Sequence, residues 1–95
     1  MALPPGITGK FLTGELLHVG VLRFAPGTTL PRHVHDNEQF TFVAEGRLDA
    51  GLEDESLQVN ARCMLHVPAG MAHALTAPHG ALVVTVQDQR RDYCG

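Results

Sequence analysis

Three imidazoles and one amide are spaced along this chain as the ligands of a metal ion would be. His33-Val34-His35 is followed by Gln39, and His73 arrives much later, after Pro68-Ala69-Gly70. Side chains at i and i+2 of a strand point to the same face, so His33 and His35 are expected side by side. Gln39 shares their parity and opens the apolar run Gln39-Phe40-Thr41-Phe42-Val43, which reads as the next strand. A third imidazole returning on a separate strand completes four neutral nitrogen and oxygen donors around one point. Such a set suits a divalent transition metal, whether zinc, nickel, iron or manganese. Glu38 has the opposite parity, which directs it to the other face.

The elements that position these donors read as strands. Short apolar, β-branched runs alternate with Gly, Pro, Asn and Asp, the pattern of an all-β sandwich or barrel. Strands are expected near 15–24, 28–33, 39–45, 47–52, 56–59, 64–67, 73–76 and 81–87. Breaks fall at Pro26-Gly27, Asp36-Asn37, Glu45-Gly46, Asn60, Pro68-Ala69-Gly70 and Pro78-His79-Gly80, with a weaker one at 49–51. Gly27 makes a tight turn before a strand, and Gly46 supplies the positive φ of a hairpin turn. No window has convincing helical periodicity, and 10 Gly with 6 Pro are too many for several packed helices in this length. Residues 1–10 look extended, placed either along a barrel edge or across to a partner subunit.

Composition excludes several function classes. The 95 residues make one domain near the lower limit for a self-sufficient core, and small β-proteins gain buried surface by dimerising, so a homodimer is expected. With 44% apolar and 18% charged residues the chain is not disordered. A net charge of −3 with no basic run gives no footprint for nucleic acid or anionic lipid. No apolar stretch is long enough to span a membrane, and 1–6 has neither the charge nor the apolar core of a signal peptide. Cys63 and Cys94 are far apart and outside any CxxC pattern, so free thiols in a cytoplasmic protein are expected.

At this point the spacing resembles the cupin superfamily, small β-barrels that hold a metal inside. The first cupin motif, G-x5-H-x-H-x3 or 4-E-x6-G, is matched from Gly27 through His33, His35 and Gln39 to Gly46, with Gln39 in place of the usual Glu. The second, G-x5-P-x-G-x2-H-x3-N, is matched at Pro68, Gly70 and His73. It departs at the front, where Arg62-Cys63 replaces Gly-Asp, and at the end, where Ala77 replaces Asn. The resemblance implies an all-β, cupin-type double-stranded β-helix (jelly-roll) barrel with His33, His35, Gln39 and His73 as metal ligands.

Gln39 narrows the chemistry. A carboxylate there would lower the site's charge by one, whereas an amide oxygen leaves a divalent ion its full charge, with weaker affinity and stronger Lewis acidity. This tilts the site toward polarising a substrate oxygen rather than cycling iron. The sequence His-x-His-x-x-Glu-Gln with a tail Arg-x-Asp-Tyr is similar to the cupins of pectin and alginate breakdown, which convert unsaturated uronates to linear keto sugars. That likeness implies a catalytic role for Arg90. The same group carries an aspartate six residues earlier, where this chain has Val84.

The expected function is therefore a divalent metal acting as Lewis acid on a small oxygenated molecule, such as a sugar acid or keto acid. The alternatives are an iron-dependent oxygenase and a non-catalytic small-molecule-binding protein. Thr41, Val43, Val84 and Val86 are the expected barrel lining and contain no acid or base. His18, His66 and His79 are assigned to the surface or to the core, and Phe24, Phe40 and Phe42 to packing.

Overall fold

The computed structural model describes residues 3–88. Eight strands follow in order: β1 (Ile7–Thr13), β2 (Leu17–Phe24), β3 (Thr28–His33), β4 (Gln39–Gly51), β5 (Ser56–Asn60), β6 (Met64–Val67), β7 (His73–Ala77) and β8 (Ala81–Asp88). All pairings among them are antiparallel, and no helix occurs among the described residues. The result is an all-β jelly roll: β1-β2-β8-β4-β6 form one sheet and β3-β7-β4-β5 the other, joined because β4 belongs to both.

The long β4 corrects one sequence expectation. Residues 39–45 and 47–52 were expected as two strands with a hairpin turn at Glu45-Gly46, yet the chain does not reverse there. Gly46 has the anticipated positive φ of 81°, but it sits beside a register shift between Val43 and Glu45 opposite β8. One extra residue in one strand of a pair bends it and inverts its alternation. Gln39, Thr41 and Val43 are buried before the irregularity, and Leu48 and Ala50 after it, so the inward parity changes from odd to even. The bend carries one strand from the first sheet into the second. Gly46 is also needed for close approach, since a Cβ there would collide with the Gly80 carbonyl oxygen.

The extended N-terminal segment takes the first of its two expected placements. Ile7–Thr13 pairs along β2 as the edge of the first sheet. The core between the sheets is filled by Phe24, Leu48, Leu75, Val43, Val67 and Val83, all essentially inaccessible. Burying such side chains contributes roughly 1.5–3 kcal/mol each.

β8 corrects a second expectation. Its inward residues are Val83, Thr85 and Gln87, whereas Val84 and Val86 face outward. Thr41 and Val43 line the interior as expected. Outside, two adjacent register rows cross the first sheet: Leu12, Val19, Val86, Phe40 and His66, then Lys10, Val21, Val84, Phe42 and Met64. These two rows are largely apolar. Phe24 packs in the core, while Phe40 is exposed on this outer face.

Candidate metal centre

His33 and His73 are cross-strand partners in the β3–β7 ladder. Their placement depends on a second irregularity, between Leu30 and His33, where three steps along β3 are matched by two along β7. The shift turns odd-numbered His33 to the face that even-numbered Leu30 occupies, opposite Leu75 and His73. His35 lies just past the end of β3 rather than on it. Its segment is fixed from two sides. The Asn37 amide donates to the Asp88 carbonyl, and the Gly70 N–H donates to the His35 carbonyl at 2.9 Å. Gly70 has φ 79° and closes the Pro68-Ala69-Gly70 turn, with Met71 N–H reaching back to the Pro68 carbonyl at 3.3 Å. That turn delivers His73 into the interior, where it is fully buried.

The three rings converge. Their centroids are 4.2 Å apart for His33–His73, 5.0 Å for His35–His73 and 5.4 Å for His33–His35. One nitrogen from each lies within 4.8 Å of the others. Each ring also has the same second partner, a backbone carbonyl two residues away. His33 Nδ1 donates to Pro31 O at 2.8 Å, His35 Nδ1 to Asn37 O at 3.0 Å and His73 Nδ1 to Met71 O at 3.0 Å. A carbonyl can only accept, so Nδ1 holds the proton in all three, and a neutral ring then presents its Nε2 lone pair. Backbone carbonyls of this kind fix the tautomer and orientation of metal-ligating histidines.

The fourth donor is oriented as firmly. Gln39 Nε2 donates to the buried Thr41 Oγ1 at 2.8 Å, and Gln39 Oε1 accepts from Gln87 Nε2 at 3.0 Å. The amide oxygen is thereby turned to His35 Nε2, at 3.0 Å. With His35 Nδ1 already protonated, that contact joins two lone-pair donors unless a cation stands between them or on the ring.

His73 provides a test of fit. Its Nε2 is buried with no hydrogen-bond partner among the described residues, and leaving such an atom unsatisfied costs about 1–3 kcal/mol. Its pKa is held below the ordinary 6.5, first by desolvation, then by the neighbouring His33, His35 and Arg32, against an opposing bond to the Met71 carbonyl. The ring is thus kept neutral with an unused lone pair, the state a metal ligand requires. The donor set fits a divalent ion.

Of the other residues singled out from sequence, Glu38 points away as expected and meets His66 at 2.7 Å on the outer face, where His66 stacks on Phe40. His79 is exposed and lines a cavity of about 560 Å³ with Arg23, Glu45 and Gly80, at the opposite end of the sheet from the imidazole cluster. Arg90 lies outside the described residues. Val84, where the resemblance to the uronate-linearising cupins implied an aspartate, faces outward.

His18, assigned from sequence to the surface or core, is on the inward face of β2 with Gly20, Leu22 and Phe24. Its register row reads Thr13, His18, Gln87, Gln39 and Val67 across the first sheet. The even-numbered alternation from His18 to Phe24 was the signal that places it inside.

Residues 20–87 match the cupin domain family (Cupin_2). No curated protein matches the chain. Among solved structures, KdgF from a Halomonas species is 23% identical with a TM-score of 0.86, covering 100% of this chain and 89% of its own. An RmlC-like cupin from Shewanella frigidimarina is 19% identical with a TM-score of 0.86, covering 99% and 86%. A conserved protein of unknown function from Streptococcus pyogenes is 20% identical with a TM-score of 0.83, covering 90% and 76%.

Proposed function

The chain belongs to the cupin domain family, and we propose that it holds one divalent transition metal on His33, His35, His73 and Gln39 for work on a small oxygenated acid. The observation that carries this reading is the set of three Nδ1–carbonyl bonds, which leaves three Nε2 lone pairs converging with Gln39 Oε1. A divalent ion in that position supplies Lewis acidity toward a carboxylate, hydroxyl or carbonyl oxygen. The chain's own residues do the rest. Thr41 and Gln87 hold the amide of Gln39, and Phe24, Leu48 and Leu75 close the interior below. The motif likeness to the uronate-linearising cupins makes uronates the first substrates to try, in an isomerase or lyase reaction.

A second reading is favoured by one observation. The buried polar residues among those described are Gln39, Thr41, His73 and Thr85, none of them a carboxylate. A small-molecule-binding cupin without turnover needs no carboxylate. Zinc-loaded protein assayed on sugar acids and keto acids separates the readings. Turnover with zinc supports Lewis-acid chemistry, turnover only with iron and consumption of oxygen supports an oxygenase, and binding without turnover supports the second reading.

The proposal extends to setting and assembly. The exposed free thiol of Cys63 suits a cytoplasmic protein, and no helix of the described chain is long and apolar enough to cross a membrane. The apolar outer rows of the first sheet, beside the edge strand β1, are where a second copy would pack.

A further inference from the structure

His18 is an imidazole fixed in place on the inward face of the first sheet. Its ring stacks on Phe11, with centroids 4.8 Å apart and planes 7° from parallel. Its Nδ1 bonds Thr13 Oγ1 at 2.7 Å. The ring is thus fixed both by its face and by one nitrogen. The other nitrogen, Nε2, is buried and has no hydrogen-bond partner among the described residues.

The wall around it is built to the same end. Gly20 is the next inward residue of β2, and a Cβ there would lie 2.6 Å from Phe11 Cε1 and 3.1 Å from Thr85 Oγ1. Only glycine lets the Phe11 ring lie across the sheet and reach His18. Gln87 is the next residue along the row, and its Nε2 is engaged with Gln39 Oε1. His18 is therefore two strands from Gln39, on the same inward row. Neighbouring strands are about 4.8 Å apart, so the two Cα atoms are separated by roughly 10 Å. Gln87 stands between them on that row, so a molecule that reaches both must be longer than a two-carbon acid.

We infer that His18 is a second recognition point beside the imidazole cluster: its Nε2 hydrogen-bonds an oxygen of a hydroxylated organic acid whose other end lies at the His33–His35–His73–Gln39 centre. This rests on the metal reading given above and adds a residue, a direction and a minimum ligand length. Chain atoms on one side anchor the acid near Gln39, and His18 selects against acids too short to reach it.

The test uses two probes, oxalate and D-galacturonate, on zinc-loaded protein by calorimetry, with His18→Phe and His18→Gln beside the wild type. Phenylalanine keeps the stack on Phe11 and removes Nε2, and glutamine places an amide at similar reach. Losing one hydrogen bond to a charged or strongly polar ligand group weakens binding by about tenfold or more. The expected result is that loss for galacturonate with His18→Phe, partial recovery with His18→Gln, and unchanged zinc and oxalate affinity. Equal galacturonate binding by His18→Phe and wild type overturns the proposal, as does an equal loss for oxalate. A wild type that takes up zinc but not galacturonate also overturns it. A wild type that takes up no zinc contradicts the metal reading first, in the zinc titration itself, and this inference falls with it.

Discussion

The Gly70 N–H donates to the His35 carbonyl at 2.9 Å, tying the turn that delivers His73 to the segment that carries the second imidazole. The two segments, separated by β4, β5 and β6, are thereby one unit. Gly70 takes φ 79°, and a Cβ added there would meet nothing within 4 Å. The Gly70→Ala variant therefore tests backbone conformation alone. Left-handed backbone costs a non-glycine residue about 1–2 kcal/mol. Chemical denaturation should show a loss of that size, and zinc affinity should fall with it. An unchanged midpoint and unchanged affinity would separate the turn from the site.

Arg62 presents the reverse case. It occupies the position where the second cupin motif begins with glycine, and it has φ 72°, the left-handed value that glycine serves. Its N–H still bonds the Val43 carbonyl at 2.6 Å. Arg62→Gly should relieve the strain and forfeit part of the gain through unfolded-state entropy, for a net stabilisation of about 0.5–1 kcal/mol. A measured destabilisation by thermal or denaturant unfolding would contradict this.

Stability should fall on mild acidification because of His73. In the unfolded chain this residue titrates near its ordinary 6.5, and burial lowers the value in the folded protein. Between the two values the unfolded state binds more protons, so stability rises with pH. The contribution is complete above about 6.5 and is lost as pH falls through the lowered folded value. His73→Leu, which removes the titrating group, should flatten that part of a plot of unfolding free energy against pH. An equal slope in both proteins would place its origin elsewhere.

Gln39→Glu should tighten divalent metal binding, because a charged oxygen replaces a neutral one at the same reach. The Gln87 amide can still donate to it and Thr41 can turn its hydroxyl to do so, since both already bond this side chain. Competition with a chelator gives the affinity directly. Weaker binding by the glutamate variant would remove Gln39 from the ligand set.

Assembly gives a simple readout. Sedimentation at micromolar concentration should show a dimer, and Phe40→Lys, on the apolar outer face, should shift it toward monomer without loss of zinc affinity. A wild-type monomer would contradict the proposed pairing.

The all-β class and most strand positions were legible in the alternation of apolar residues and the Gly and Pro breaks. Two things were not. The irregularities at Val43–Glu45 and Leu30–His33 insert a residue and invert the inward parity, and no local pattern announces them. That is why Glu45-Gly46 reads as a hairpin turn when it is a bend within one strand. The convergence of His33, His35 and His73, with Gln39 against His35, was legible because these residues have chemistry as well as spacing. The inward face of β8 was misread by one residue, which exchanges Val84 and Val86 for Thr85 and Gln87, because a run such as Leu82-Val83-Val84 is apolar on both faces. Missing Gln87 also hid His18, which is its neighbour in register.

The central claim is that three Nε2 lone pairs converge on one ion while each Nδ1 keeps its proton on a backbone carbonyl. Zinc titration of untagged, ¹⁵N-labelled protein, followed through the imidazole nitrogens, tests it most directly. The account predicts one zinc per chain, with the Nε2 signals of His33, His35 and His73 moving together and their Nδ1 signals remaining those of protonated nitrogens. Uptake of no zinc, or a response confined to His66 and His79, would contradict it.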